Sequence, residues 1–243
     1  MRSANPALKD DAFLERTSGE AMTVQGSINK TFILLLVVIA AASFTWSKFL
    51  AGGVASVSVW LLLGVIGGFI AALVTIFKKD MAPITAPIYA LFEGLFLGAV
   101  SSMLEMQYPG LVIQAVGLTF GTALCMLGAY RSGLIQVNEK FKLGLLAATG
   151  GIALVYLVGF VLQFFGMPLP LFGNGIIGIG FSVFVVVIAA LNLVMDFDLI
   201  ETGAANGAPK YMEWYGAFAL MVTLIWLYIE ILRLLTKLRS SRD

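Results

Sequence analysis

Long apolar stretches, separated by short polar connectors, make up most of this chain. Seven of them approach the ~20 residues that a helix needs to cross a hydrocarbon core about 30 Å thick. They run over Thr31–Leu50, Val54–Phe77, Ala86–Leu104, Leu111–Tyr130, Leu143–Phe165, Gly175–Met195 and Trp214–Leu235. The pattern predicts an all-α, polytopic membrane protein with seven transmembrane helices.

The connectors carry helix breakers, such as Gly52-Gly53 and Pro109-Gly110. Connectors this short place neighbouring helices side by side and antiparallel, so we expect one compact bundle. The predicted parts are a cytoplasmic N-terminal tail (1–30), a seven-helix transmembrane domain (31–235) and a short basic C-terminal tail (236–243).

Two pairs of glycines stand four residues apart inside apolar stretches. They are Gly94 with Gly98 and Gly117 with Gly121. In lipid, small residues at this spacing let two helix backbones approach closely. Both pairs therefore favour a tightly packed bundle.

Lys and Arg are distributed unevenly between the two ends of the predicted helices. One end holds ten of them: Arg2, Lys9, Arg16, Lys30, Lys78, Lys79, Arg131, Lys140, Lys142 and Lys210. The opposite connectors hold only Lys48. Because cytoplasmic loops are enriched in positive residues, the N-terminus is predicted to be cytoplasmic. Seven helices then place the basic C-terminus outside, a conflict that six full spans and a re-entrant final segment would remove.

The composition excludes most soluble classes of protein. Of the 243 residues, 60% are hydrophobic and only 12% are charged, whereas soluble domains carry about 25% charged residues. The net charge of +1 provides no basic surface for nucleic acid. With no His and a single Cys, the chain lacks the usual ligands of a transition-metal site. No Walker, Rossmann or HExxH motif occurs, so we expect neither an enzyme nor a bound cofactor.

Acids inside apolar stretches are the candidates for function. Glu93 lies near the middle of the third stretch, where a carboxylate is either functional or a polar contact to a neighbouring helix. The sixth stretch ends in AALNLVMDFDLIE, in which Asn192 shares a helix face with Asp196, and Asp198 shares one with Glu201. One aspartate can thus face the bundle interior while the other meets water. The same residues also fit a plain interfacial helix end.

The last stretch has Glu213 at its start and Glu230 near its far end, three residues before Arg233. A pair between Glu230 and Arg233 would lower the cost of both charges, or would simply anchor the helix at the membrane surface. Oxygen ligands of this kind, without His or Cys among them, suit Ca²⁺, Na⁺ or H⁺. Two carboxyl groups forced together would also share a proton and form a pH-sensitive latch.

Five segments of the chain resemble a known family: NPALKDDAF, MTVQGSINKT, PITAPIYALFEGLFLG, LNLVMDFD and WLYIEILRLL. Together they make it similar to the transmembrane Bax inhibitor motif family, and especially to the bacterial Bax inhibitor-1-like branch. The resemblance implies seven helices with the last one central, and a passive, pH-sensitive Ca²⁺ leak. It also implies residence in the bacterial inner membrane. Glu93-Gly94 resembles the Glu-Gly pair of the family's third helix.

The family's latch pairs an aspartate of a Phe-Asp motif, at the end of the sixth helix, with an aspartate on the seventh. Phe197-Asp198 matches the first element. No acid stands near Val222 or Thr223, where the second belongs. Either Asp196 or Glu213 would have to replace the missing partner.

Two main hypotheses follow. The leading one is a pH-sensitive Ca²⁺ leak channel or ion/proton exchanger that uses intramembrane carboxylates, with membrane lipids as its surroundings. The second is a non-conducting regulator that binds another membrane protein, such as a protease or a stress factor. An intramembrane protease is a third class, but its GxGD signature is absent.

Overall fold

The computed structural model describes residues 20–167 and 169–241, which are mostly helical. The helices are α1 (Val24–Phe77), α2 (Ala82–Gln107), α3 (Leu111–Arg131), α4 (Glu139–Phe164), α5 (Ile176–Ala205) and α6 (Met212–Ser240). Short 3₁₀ turns at Lys79–Met81 and Pro170–Phe172 precede α2 and α5. No strand occurs in this part of the chain, so the all-α prediction is confirmed.

Six of the described helices are long and apolar enough to cross a membrane, one fewer than predicted. The difference lies in α1, a single 54-residue helix that includes both the first and the second predicted stretch. Gly53 interrupts it with φ 65° and ψ −158°, a backbone conformation open essentially to glycine alone. A turn is therefore present where the Gly52-Gly53 pair predicted one, but no loop separates the two stretches.

The turn at Gly53 folds α1 into two arms, residues 24–52 and 54–77, that lie against each other. The Phe44 and Trp60 rings meet edge to face with centroids 5.1 Å apart. The Ser56 hydroxyl donates a hydrogen bond of 2.7 Å to the Lys48 carbonyl. Each arm is longer than the ~20 residues that a hydrocarbon core requires, so α1 occupies two positions in the bundle.

Glycines let both arms of α1 approach α2 closely. A Cβ atom at Gly94 would lie 2.5 Å from the Val38 carbonyl oxygen of the first arm. A Cβ atom at Gly64, on the second arm, would lie 2.7 Å from the Phe96 nitrogen of α2. Neither position has room for a side chain, so these contacts depend on glycine.

The two predicted glycine pairs differ in their surroundings. Gly98, like its partner Gly94, abuts the first arm of α1, where an added Cβ would lie 2.4 Å from the Ala42 carbonyl oxygen. Around Gly117 and Gly121 on α3, an added Cβ would meet no atom within 4 Å. The first pair therefore packs against a helix of this chain, and the second does not.

Helix α6 lies at the centre of the bundle and packs against α1, α2, α3 and α5. Met221 and Ile225 join an apolar cluster with α1 and α2, while Leu227 and Ile231 join one with α3 and α5. The central position implied for the last helix is confirmed. α6 is continuous over 29 residues, which does not fit the alternative of a re-entrant final segment.

The helix ends define two faces of the bundle. The N-terminal face contains residues 20–24, 77–82, 131–139 and 205–212, and the C-terminal face contains 50–54, 107–111, 165–167, 169–176 and 240. Backbone contacts join the segments of the N-terminal face, where the Met22 nitrogen donates to the Ala208 carbonyl at 2.7 Å. On the C-terminal face, the Arg239 guanidinium donates to the Pro109 carbonyl at 2.9 Å.

Part of the predicted conflict over the basic C-terminus is explained by internal contacts. Arg233 pairs with Glu230, and Lys237 and Arg239 donate to backbone carbonyls of other segments. These charges hold the bundle together, so they are weak signals of membrane orientation. The predicted tail residues 1–19, which include Arg2, Lys9 and Arg16, and the basic residue Arg242 lie outside the described residues.

The outward faces of the helices are apolar. Ile113 and Leu124 on α3 expose 72% and 69% of their area, and Phe160 on α4 exposes 61%. Water would favour charged side chains at such positions, whereas hydrocarbon favours these. Together with the helix lengths, this surface identifies a multi-pass membrane protein.

Candidate functional site

Asp196 on α5 is half-buried, and one of its two carboxyl oxygens is enclosed by an apolar part of the bundle. Its Oδ2 atom has no hydrogen-bond partner in the described part of the chain, and nearby Leu193 and Val194 are fully buried. The Thr223 hydroxyl of α6 lies beside the carboxyl. That hydroxyl has a single proton, which it donates to the Ala219 carbonyl at 3.3 Å. Asp196 is therefore poorly compensated for its burial.

Asn192 extends this polar face of α5 by one turn towards the C-terminal face. Its Nδ2 atom donates to the Thr149 hydroxyl of α4 at 3.0 Å and to the Ile188 carbonyl at 2.8 Å. The face that the spacing predicted for Asn192 and Asp196 thus meets α4 at one end and α6 at the other.

Asp198 points away from Asp196 and reaches the N-terminal face. Its carboxylate pairs with the Lys142 ammonium of α4 at 3.4 Å, and 22% of its side chain is exposed. Both residues line a cavity of about 300 Å³, together with Met22 and Asn206. Both aspartates of this helix end are half-buried, but they point in different directions: the Oδ2 atom of Asp196 is enclosed, while Asp198 lines the cavity.

Glu201 is exposed at the N-terminal face. Its Oε2 atom accepts a hydrogen bond of 2.6 Å from the Tyr130 hydroxyl of α3. This contact ties the end of α3 to the end of α5 and leaves Glu201 outside the apolar interior.

Glu213 begins α6 and is completely buried, yet its charge is fully paired. Its Oε1 atom accepts from the backbone nitrogen and the hydroxyl of Thr23, each at 2.9 Å. Lys30 binds its Oε2 atom, and Lys210 lies 3.3 Å from Oε1. This carboxylate holds the pKa of the exposed Lys210 above its ordinary value. We call Glu213 with Thr23, Lys30 and Lys210 the clamp. A Cβ at Gly26 would collide with Glu213, so only glycine leaves space for the clamp at this position.

Glu93 on α2 is half-buried and faces the second arm of α1. Its Oε1 atom lies 3.0 Å from where a Cβ of Gly68 would be. Tyr89, one turn earlier, is buried and packs edge to face on Phe218 of α6. Among the described residues Glu93 has no ion-pair partner, but unlike Asp196 it has no carboxyl oxygen that is both buried and without a hydrogen bond.

Glu230 is buried near the C-terminal end of α6, where its side chain is 2% exposed. Its carboxylate accepts a hydrogen bond of 2.8 Å from the Tyr156 hydroxyl of α4 and one of 3.2 Å from the Arg233 guanidinium. The guanidinium also lies over the Tyr156 ring, 4.9 Å from its centroid. The predicted Glu230–Arg233 pair is present, and Tyr156 is a third member that the sequence did not reveal.

The six candidate acids therefore occupy different environments. Glu213 and Glu230 are paired with cations, Glu201 is at the surface, and the cavity at Asp198 is lined by none of the other five. Within the described residues no three His, Cys, Asp or Glu side chains group closely enough to hold a metal ion. Asp196 and Glu93 remain as acids inside the bundle without a cationic partner.

Several contributing residues were not identified as such from the sequence. In the sequence, Lys30 and Lys142 indicate membrane orientation, Thr23 belongs only to a segment that resembles the family, and nothing distinguishes Tyr156. Thr223 was noted as the position that lacks the expected second acid. The structure places it next to Asp196, because α5 and α6 run antiparallel and meet at this depth.

Comparison with known proteins identifies the family. The family model described as Bax inhibitor 1 like matches residues 5–240. No curated protein and no solved structure matches the chain. The family match spans nearly all of the sequence and fits the helical membrane bundle with its central last helix. The chain therefore belongs to the Bax inhibitor 1 like family.

Proposed function

We propose that this protein is a pH-sensitive cation leak, with Asp196 as the residue that binds the passing ion. The supporting observation is the Asp196 oxygen without a hydrogen-bond partner among the described residues. A carboxylate in an apolar interior is costly unless it takes up a proton or binds a cation. Protonation and cation binding would therefore compete at one group, which is what couples the leak to pH.

The cavity at Asp198 is the proposed mouth of the path on the N-terminal face. It lies two residues along α5 from Asp196, and the Lys142–Asp198 pair crosses it. A cation that approaches the mouth meets the ammonium of Lys142 first. Separation of this pair would expose the Asp198 carboxylate and attract the ion, so the pair acts as the gate.

Because few oxygen atoms surround Asp196, we expect a cation to bind there weakly and pass on. Ca²⁺ takes six to eight oxygen ligands in a tight site, whereas this site offers a carboxyl group and the Thr223 hydroxyl. We therefore assign weak, transient binding of Ca²⁺ or exchange of a proton. No catalysis is proposed for these acids.

The proposed setting is a bacterial inner membrane with the N-terminal face in the cytoplasm. Lys78, Lys79, Arg131, Lys140 and Lys210 belong to connectors of that face, as the positive-inside rule expects. The mouth at Asp198 then opens to the cytoplasm, and the ion enters or leaves the cell there.

Flux measurements in liposomes test the proposal. The full chain is reconstituted with a trapped Ca²⁺ dye, and dye response is recorded in acid and in neutral buffer. We expect Asp196→Asn to reduce the flux at least tenfold and to remove its pH dependence. Glu201→Gln is the matched control and retains both. Equal flux from Asp196→Asn and the unaltered protein would contradict the proposal.

A second candidate is a non-conducting regulator that binds another membrane protein. The observation in its favour is the open surface at Gly117, Gly121 and Gly128 of α3, where an added Cβ meets nothing within 4 Å. Small residues on a lipid-facing helix can dock a partner helix. A stoichiometric partner that is lost on Gly121→Leu, combined with no measurable flux, would favour this function.

A further inference from the structure

A cleft of about 720 Å³ opens at the C-terminal face between α2, α4 and α6. One side is apolar and includes Val100, Leu104 and Phe160, while Arg233 and Lys237 lie on the other. Neither Asp196 nor Asp198 lines it, so the cleft is separate from the proposed ion path. The cleft thus has an apolar wall and two cationic side chains, and this combination suits an amphipathic anion.

Lys237 is the most unusual residue of this cleft. Its side chain is buried, with 4% of the residue exposed. Its ammonium donates to the Leu171 carbonyl at 3.2 Å and to the Gly178 carbonyl at 3.0 Å, which leaves one of its three N–H groups free. No described carboxylate forms an ion pair with it. A buried ammonium without a counter-ion is costly, so this site favours an anion.

Arg233 lies one turn before Lys237, on the same side of α6. Its Nη1 atom contacts both oxygens of Glu230, and its other N–H groups have no protein acceptor within the described residues. The side chain is 38% exposed, so these donors are accessible. Arg233 and Lys237 bring two positive charges to the lining of the cleft. Glu230 does not line it but pairs with Arg233 and offsets one of these charges, which leaves a net positive site.

We propose that the cleft binds an anionic phospholipid from the leaflet at the C-terminal face. The lipid phosphate accepts from Arg233 and Lys237, and an acyl chain lies along Val100, Leu104 and Phe160. Phe160 exposes 61% of its area to the lipid side of α4, so the apolar wall continues into the bilayer. The cleft is far larger than a phosphate ion, and a small soluble anion would leave that wall unused.

Lipid binding to the purified full chain tests this proposal. Phosphatidylglycerol, phosphatidylcholine and inorganic phosphate are added separately to the detergent-solubilised protein. Retained lipid is counted by native mass spectrometry and the unfolding temperature is recorded. We expect phosphatidylglycerol alone to be retained and to raise the unfolding temperature.

Three variants test whether the charges at the cleft determine lipid binding. Removing one charge-assisted hydrogen bond in Arg233→Gln should weaken phosphatidylglycerol binding about tenfold. Glu230→Gln should strengthen it, because the neutralising acid is lost while both cations remain. These opposite directions separate lipid binding from a general loss of stability. Lys48→Gln, an exposed cation on the same face, is the matched control and should bind as the unaltered protein does.

Each contrary result overturns the proposal. Equal retention of phosphatidylcholine would mean that the cleft binds lipid without selectivity for anionic headgroups. Equal stabilisation by inorganic phosphate would assign the cleft to a small soluble anion. Unchanged phosphatidylglycerol binding in both Arg233→Gln and Glu230→Gln would place bound lipid elsewhere on the protein.

Discussion

The Asp196 carboxyl of α5 lies beside the Thr223 hydroxyl of α6. The family resemblance leads one to expect two aspartates across this helix interface, and the chain provides one acid and one hydroxyl. Asp198, which matches the family's Phe-Asp motif, turns instead to Lys142. A proton shared between two aspartates therefore cannot operate between α5 and α6 here. The proposed pH-sensitive leak therefore depends on the half-buried Asp196 alone, while Asp198 is ion-paired.

Thr223→Val tests the role of the hydroxyl. The two side chains have nearly the same shape, so packing is retained while Asp196 loses its polar neighbour. We expect Ca²⁺ flux in liposomes to fall several-fold, because the passing ion loses one of its few oxygen ligands. Thr119→Val is the control, since the Thr119 hydroxyl is also buried and bonds only its own helix, at the Ala115 carbonyl. Equal losses in both variants would remove Thr223 from the ion site.

Lys142→Gln tests the proposed gate. The change removes the cation that pairs with Asp198 at 3.4 Å and leaves that carboxylate free at the cavity mouth. We expect flux to rise a few-fold while stability changes little, because ion pairs between exposed side chains contribute little to folding. Lys140→Gln provides a control, since Lys140 is exposed and has no ion-pair partner among the described residues. A fall in flux, or an equal rise in the control, would contradict the gate.

Glu213→Gln tests the clamp that joins the N-terminal segment to α6. The amide cannot form ion pairs with Lys30 and Lys210, so Lys30 loses its ion-pair partner at this buried carboxylate, while Lys210 keeps its contact with Glu20. Hydrogen bonds to charged groups contribute ~1.5–3 kcal/mol each, and we expect a loss of about 2–3 kcal/mol in the free energy of unfolding. Glu20→Gln is the control, because Glu20 also pairs with Lys210 but is 83% exposed. If the two variants unfold at the same temperature, the clamp contributes little.

Gly53→Ala tests the turn that folds α1 into two arms. The φ of 65° and ψ of −158° at this position impose a strain of about 1–3 kcal/mol on any residue with a Cβ. We expect a lower unfolding temperature and weaker packing of the second arm, measured by thermal unfolding and by cross-linking of cysteines at positions 44 and 60. Gly117→Ala, at a helical position with open space around it, should leave both unchanged.

The membrane class, the helix positions and the family all followed from local features of the sequence. Each ~20-residue window must bury its own backbone hydrogen bonds in lipid, so apolar length alone marks a helix. The fourth predicted stretch, Leu111–Tyr130, differs from α3 by a single residue. The same local view identified Asp196 and Asp198 as facing in different directions. It could not decide whether Gly53 sits in a loop or in a turn between two helical arms.

The contacts of the acids were decided only by tertiary structure. Glu213 meets Lys30 across 183 residues of chain, and nothing near either residue indicates that pairing. In a membrane helix both the buried and the lipid-facing sides are apolar, so hydropathy does not reveal which glycines or acids turn inwards. Gly94 and Gly117 look alike in sequence, yet only Gly94 touches a neighbouring helix. Local composition therefore determined where the chain crosses the membrane. Tertiary packing determined that α4 and α6 provide the partners of Glu230, that the start of α1 provides partners of Glu213, and that Asp196 Oδ2 has none among the described residues.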